Sequence, residues 1–393
     1  MTLTSRTAAT FSPPVMEARR WLDGVQFTPE TPLLNVSQAA PLDPPPQALR
    51  AHIAEVALHD DTAHLYGAVL GDDALRQEIA SQWSAAYGGV IVPEQVGITA
   101  GCNQAFAATI ASLAGEGDEV ILPTPWYFNH KMWLDMQGVT AVALSVGDGM
   151  LPSVEGAAAL ITERTRAIVL VSPNNPTGVE YPPELLRGFY ELAQAHGIRL
   201  IVDETYRDFD SRVGAPHDLF GDDDWSDALV HLYSFSKAYR LTGHRVGAIV
   251  GGVGFMAEVE KFLDTVAICP NRLGQRAALW GMQNLGDWLA KERLDILDRR
   301  AAITDNLHKL TDKGWRLLGL GAYFAYFEHP FEMASDELAC DLVKQARVLV
   351  LPGTMFMPDA DQDGKKQLRI AFANVTRPEI GALFDRLAAY QPN

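Results

Sequence analysis

Five short runs, "EVIL" (119–122), "AIVLV" (167–171), "RLIVD" (199–203), "ALVHLY" (228–233) and "VGAIVG" (246–251), are apolar at most positions and are separated by helix-length segments. Strands without a polar side cannot expose one face to water, so this rhythm predicts a mostly parallel sheet covered on both faces. Ahead of it, "QALRAHIAEVALHD" and "GDDALRQEIASQWSAAYGG" repeat apolar residues at helical spacing, the second with Asp72 or Asp73 as N-cap and Gly88 as stop. Behind it lies a helical stretch over 272–312. It is followed by strand-like "GAYFAYFE", a helix near 335–346, "VLVLPG", "QLRIAFA" and a terminal helix near 377–390, the pattern of a smaller α+β unit. The first 45 residues end in the proline-rich "APLDPPPQ" and predict an extended arm rather than a packed element. The expected division is therefore an arm (1–45) that joins the small domain, a large α/β domain (46–275) and a small C-terminal α+β domain (276–393).

Composition narrows the function classes. Hydrophobic residues make up 48% and charged residues 21% of 393, which is ordinary for a globular chain. A formal charge of −17 repels phosphate backbones and anionic lipid, so neither nucleic acid nor membrane is expected as a partner. Cys102, Cys269 and Cys340 are widely spaced and form no CxxC pair, which suggests neither a disulfide framework nor a metal site and fits a reducing cytoplasm. No apolar run of signal-peptide length or membrane-spanning length is present, so a soluble, unexported protein is expected.

Ligands of open α/β sheets bind beyond the carboxyl ends of the strands, so the polar residues that follow apolar runs are the candidates. "AIVLV" leads into "SPNNPTG", "RLIV" into "DETY", "ALVHLY" into "SFSK", and "VGITAGCNQAF" turns through Gly101 into a helix whose N-terminus offers free N–H groups to an anion. Pyridoxal 5′-phosphate would use all four places. Its aldehyde needs a lysine, its ring nitrogen a carboxylate, and its phosphate several donors and a cation. Lys237 supplies the amine and Asp203, at the end of a buried strand, the carboxylate.

The ordered set "TAGCNQA", "NNPTG", "DETY", "SFSKAYRLTGHRVG" and "LRIAFA" resembles the fold-type I, class I/II aminotransferases dependent on this cofactor, close to the aspartate, aromatic and kynurenine group. The resemblance runs from about residue 33 to the C-terminus. It implies a large domain with a mostly parallel seven-stranded sheet and a smaller α+β domain, and amino-group transfer between an amino acid and a 2-oxo acid by a ping-pong cycle. It further implies Lys237 as the Schiff-base lysine and proton shuttle, and Asp203 as partner of the ring nitrogen. Asn175 and Tyr206 would be donors to the phenolic oxygen. Ser234, Ser236 and Arg245 would hold the phosphate with the helix start at Gly101, Cys102 and Asn103. Tyr127, with Trp126 as second choice, would stack on the ring, and Arg369 would clamp the substrate α-carboxylate. Tyr66 resembles the tyrosine that reaches the partner subunit's phosphate, which implies a homodimer with shared sites.

The same scaffold also supports lyases, oxidases and cyclising enzymes, and cofactor-sensing regulators. The net acidity and the lack of a basic N-terminal extension point away from the regulators. Two departures from the family pattern stand out. Ala39 and Met357 occupy positions where glycine is usual, and both are expected to add bulk near the pocket, Ala39 on its substrate side. No second substrate-facing arginine is found by position. With Trp126, Tyr127, Phe128 and Trp133 nearby, an apolar or aromatic substrate side chain is expected.

Overall fold

The computed structural model describes residues 4–392. Among the described residues thirteen strands follow one another: β1 (Leu34–Asn35), β2 (Val96–Thr99), β3 (Glu119–Thr124), β4 (Thr140–Ser145), β5 (Thr165–Val171), β6 (Arg199–Asp203), β7 (Leu229–Ser234), β8 (Gly247–Val250), β9 (Arg316–Gly321), β10 (Phe324–Glu328), β11 (Val348–Leu349), β12 (Leu351–Pro352) and β13 (Gln367–Ala371). Seven form the large sheet in the order β2-β8-β7-β6-β5-β3-β4. Only β8 runs against its neighbours; β7, β6, β5, β3 and β4 are parallel.

The apolar runs do what their pattern predicts. Ile168 and Leu170 of β5 and Leu200 and Val202 of β6 enter the core on one face, while Ala167, Val169 and Ile201 enter a separate core on the other. Alternate side chains of a strand point to opposite faces, so a run without polar positions feeds two cores at once. The sequence reading missed β4, although "TAVALS" carries the apolar run Ala141–Leu144; it is an edge strand, exposed at Thr140 and Ser145 and only half-buried from Ala141 to Ala143.

The second unit is a four-stranded antiparallel sheet in the order β12-β13-β10-β9, with its own core around Phe324, Phe327, Leu338, Leu368 and Phe384. The "GAYFAYFE" run is the end of β9, a turn, and β10 rather than one strand. "VLVLPG" likewise splits. Val348–Leu349 pairs with β1, and Leu351–Pro352 pairs with β13. The stretch over 272–312 is three consecutive helices, Arg272–Asn284, Gly286–Asn306 and His308–Thr311.

The arm differs from expectation. Pro14–Arg20 is a helix that starts on a proline, where the missing N–H costs nothing, and buries Pro14 and Ala18. Further along, β1 pairs in parallel with β11, and the Ala371 N–H donates to Val36 O at 2.8 Å. Proline-rich segments look unstructured by composition; here tertiary partners supply the hydrogen bonds that the segment cannot make alone.

Candidate active site

Register brings the polar residues together. Gly247 pairs with both Thr99 and Ser234, while Asp203 pairs with Leu232 on one side and Val171 on the other. The carboxyl ends of β2, β5, β6 and β7 therefore reach one edge of the sheet, where a cavity of about 470 Å³ opens. Cys102, Asn103, Tyr127, Asn175, Asp203, Tyr206, Ser234, Ser236, Lys237, Arg245, Arg369 and Ala39 all line it. Gly101 lies just beneath. Its φ is +86°, and a Cβ there would stand 2.2 Å from Arg245 Nη2, so only glycine lets the guanidinium pack over the start of helix Cys102–Leu113.

Three cations face this cavity, and none has a carboxylate within ion-pair distance among the described residues. Arg245 donates to Ser236 Oγ at 3.4 Å, Thr242 O at 3.1 Å and Ala100 O at 3.3 Å. Arg369 donates to Asn175 Oδ1 at 2.9 Å and to Ser37 O, with its guanidinium over the rings of Phe324 and Phe356. The buried Nε of Arg369 has no partner. Lys237 Nζ donates to Ala39 O at 2.5 Å. Burial, with the charges of Arg245 and Arg369, pushes the Lys237 ammonium down to about 8, so the neutral amine, negligible at pH 7 for an ordinary lysine, rises to roughly a tenth. Burial likewise lowers Arg369 to about 10.

Asp203 is the one carboxylate in the cavity. Burial alone would raise its pKa, but His130 Nε2 at 3.3 Å and the Thr205 N–H at 3.0 Å offset burial and hold the carboxyl below its usual range. His130 is itself fixed by stacking on Phe106 with ring centroids 3.9 Å apart. The sequence reading missed His130. It follows "PTPWYFN" with no spacing signal, and only the turn of helix Phe128–Gln137 aims it at β6.

The aromatic expectations divide. Tyr127 lines the cavity and accepts from Asn129 Nδ2 at 3.0 Å, but Trp126 faces a separate cleft beside Lys131. Met357 borders that second cleft too, so its bulk is not in the pocket, whereas Ala39 is. Trp133 packs edge-on against Phe262, leaving Phe128 as the other aromatic wall. Tyr66 does not join the cavity within this chain; it is 78% exposed.

A family model, aminotransferase class I and II, matches residues 31–387. The chain belongs to this family. The protein is thus a pyridoxal-phosphate-dependent transaminase, which moves amino groups between amino acids and 2-oxo acids. The transaminase is similar to the arginine–pyruvate transaminase AruH of Pseudomonas aeruginosa (36% identical over 305 residues, 75% of each chain). It is also similar to an aromatic aminotransferase of Arabidopsis thaliana (28% over 352 residues, 87% of this chain and 86% of the relative). Its fold superimposes on a Thermus thermophilus aspartate aminotransferase mutant with a TM-score of 0.86 at 23% identity, covering 99% of both. The donor set of the transaminase suits the cofactor: a depressed lysine for an aldehyde, a carboxylate held ionised for a ring nitrogen, and an arginine, two hydroxyls and a helix N-terminus for a phosphate. No helix among the described residues is long and apolar enough to cross a membrane.

Proposed function

We propose that the transaminase takes its amino group from an amino acid with a neutral, apolar or aromatic side chain and passes it to a 2-oxo acid in a ping-pong cycle. The observation that carries this reading is the convergence of Lys237, Asp203 and Arg369 on one cavity whose three cations lack acidic partners. Unbalanced positive charge at a buried edge suits a site that binds phosphate and carboxylate. Bound pyridoxal phosphate would supply an electron sink for the bonds at the substrate α-carbon.

The chain's own groups do the rest. Lys237 Nζ would hold the cofactor's aldehyde and is placed to move a proton at the substrate α-carbon. Asp203 would accept from the ring nitrogen, with His130 and Thr205 fixing its orientation. Asn175 accepts from Arg369 through Oδ1, so its Nδ2, with the Tyr206 hydroxyl, would donate to the phenolic oxygen. Ser234, Ser236, Arg245 and the N–H groups of Cys102 and Asn103 would hold the phosphate. Tyr127 would stack on the ring, and Arg369 would bind the substrate carboxylate.

Of the lining residues, only Asp203 is acidic, and it is engaged by His130, so a guanidinium side chain would find no partner in this chain. That favours neutral donors over arginine despite the relative's name. Asn103 and Arg245 are exposed at the phosphate end, an opening suited to Tyr66 of a second copy; a homodimer belongs to the same reading. The three cysteines are unpaired, which suits a cytoplasmic location. A division into arm, large and small domains belongs to the same reading; the two sheets have separate cores, and because Ala277, Ala278, Met282 and Leu285 join the core of the large sheet, the second boundary lies beyond 285 rather than at 275. Lys237→Ala tests the assignment: the bound cofactor should lose its visible absorbance, and turnover should fall by at least about 10³-fold. A variant with the wild-type spectrum and rate ends it. A panel of amino acids, followed by the spectrum of the first half-reaction, identifies the donor.

A further inference from the structure

Two arginines close behind Lys237 both hold left-handed backbone, Arg240 at φ +55° and Arg245 at φ +54°. A long side chain is strained at positive φ, where glycine sits freely, so each must be kept there by its contacts. Arg245 has its reason in the phosphate end of the cavity. Arg240 lines no part of that cavity, and its strain needs another.

The contacts of its side chain supply one. Arg240 Nε donates to Glu292 Oε2 at 2.9 Å, Nη2 reaches the same oxygen at 2.6 Å, and the guanidinium lies 5.5 Å from the ring centre of Trp288. Trp288 and Glu292 stand one turn apart on helix Gly286–Asn306, which joins the two cores. Trp288 and Leu289 pack on the core of the large sheet, whereas Ile296, Ala302 and Ile303 belong to that of the small one. Glu292 lies between them. The remaining nitrogen, Nη1, faces the arm, 3.4 Å from Asp43 Oδ2 and 3.5 Å from Pro44 O. Asp43 is exposed, while Arg240 and Glu292 are mostly covered, so Glu292 is the firm anchor and the arm is the part being held.

That arm segment has few other ties. Among the described residues, the backbone from Ala39 to Pro44 accepts from two groups outside the arm, Lys237 Nζ at Ala39 O (2.5 Å) and Arg240 at Pro44 O. Lys237 cannot donate to Ala39 once its amine is bonded to the cofactor, which leaves Arg240 to hold the segment when the site is loaded. Ala39 and Ala40 are the wall that this segment gives to the cavity.

We propose that Arg240 is a positioning residue for the substrate: by clamping Asp43 and Pro44 to Glu292, it fixes the wall formed by Ala39 and Ala40 and so sets substrate affinity without touching substrate. A wall held in place beforehand need not be ordered when substrate arrives, and that ordering would otherwise be subtracted from binding. The inference rests on the transaminase reading of the cavity.

The test uses cofactor-loaded enzyme and reads binding, turnover and melting separately. Arg240→Gly removes the clamp and the backbone strain together, so its melting temperature should stay within a few degrees of wild type. Calorimetry with the unreactive acid 3-phenylpropanoate should nevertheless show binding about fivefold weaker. KM for donor and for 2-oxo acid should rise by a similar factor, with kcat at saturation within about twofold. Glu292→Gln keeps the arginine and its backbone and should weaken the acid in the same direction, by about twofold. Arg240→Lys, a point charge without the fork, should restore only part of the affinity lost in Arg240→Gly. Unchanged affinity in Arg240→Gly overturns the clamp; should that variant not fold, unchanged affinity in Glu292→Gln does so. A fall in kcat with affinity intact overturns it, and so does a loss of affinity that tracks a falling melting temperature across the variants. Each of these leaves the transaminase reading standing, whereas failure of the wild type to transfer to any 2-oxo acid overturns both.

Discussion

Asp203 and Glu204 are adjacent carboxylates at the end of β6, and they face opposite worlds. Asp203 looks into a cavity with three unpaired cations and space for anions. Glu204 looks into a sealed polar cluster. His231 Nε2 lies 2.9 Å from its Oε2, the Tyr87 hydroxyl donates to the same oxygen, and His217 Nε2 lies 3.6 Å from Oε1. Arg207, stacked 3.6 Å over Trp83, donates to Tyr87 at 2.9 Å. One side is electrostatically open and the other is closed on itself. The difference separates function from scaffold better than burial does, since both carboxylates are buried: cations without acidic partners mark where anions bind, and a carboxylate held by a histidine and a tyrosine marks scaffold.

The contrast can be broken in order of expected effect. Asp203→Ala should lower kcat by roughly 10³-fold with little change in melting temperature, because the carboxylate faces the cavity rather than the packed core. Glu204→Gln should do the reverse. Removing the buried anion that His231 and the Tyr87 hydroxyl hold should cost about 3 kcal/mol of stability in denaturant titrations, with kcat within a few fold of wild type. Should Glu204→Gln instead behave like Asp203→Ala, the two faces of β6 are not separate.

Two smaller tests sharpen the picture. Burial pushes His217 down to about 4, despite the neighbouring Glu204 carboxylate. Between pH 6.5 and 4 the unfolded chain then binds a proton that the folded chain refuses, so this residue's contribution to stability is complete above pH 6.5 and is lost as the pH falls. His217→Gln should flatten the fall in stability across that window, by up to about 2 kcal/mol. His130→Phe should have the smallest effect, a loss of activity of about tenfold. Without the histidine the Asp203 pKa rises, so the acid limb of the rate profile should move to higher pH. An unmoved limb would leave His130 as packing only.

Legibility followed the same physics. The strands of the sheet interior were plain because a run apolar on both faces has few other uses, and the candidate residues were plain because they follow those runs directly. β4 escaped because two of the four apolar residues in "AVAL" are alanines, which fit helix as well as strand, although its two faces reach both cores. The helix Pro14–Arg20 escaped because proline-rich surroundings masked seven helical residues. The family resemblance put Trp126 second in line for the ring stack and Met357 near the pocket, yet each turns to a neighbouring cleft. His130 gave no signal at all, because its importance comes from what it touches.

The sequence by itself determined the class of fold, the family, and the kinds of group on offer: one lysine, one carboxylate, hydroxyls and arginines in a fixed order. Only the tertiary structure decided which of them meet. Strand register aligns Thr99, Gly247, Ser234 and Asp203 at one edge, and the arm returns from the N-terminus to lay Ser37 and Ala39 over Arg369 and Lys237. Order along the chain is local information, whereas register, burial and the pKa values that follow from them are sums over neighbours hundreds of residues apart, and no reading of adjacent letters contains that sum.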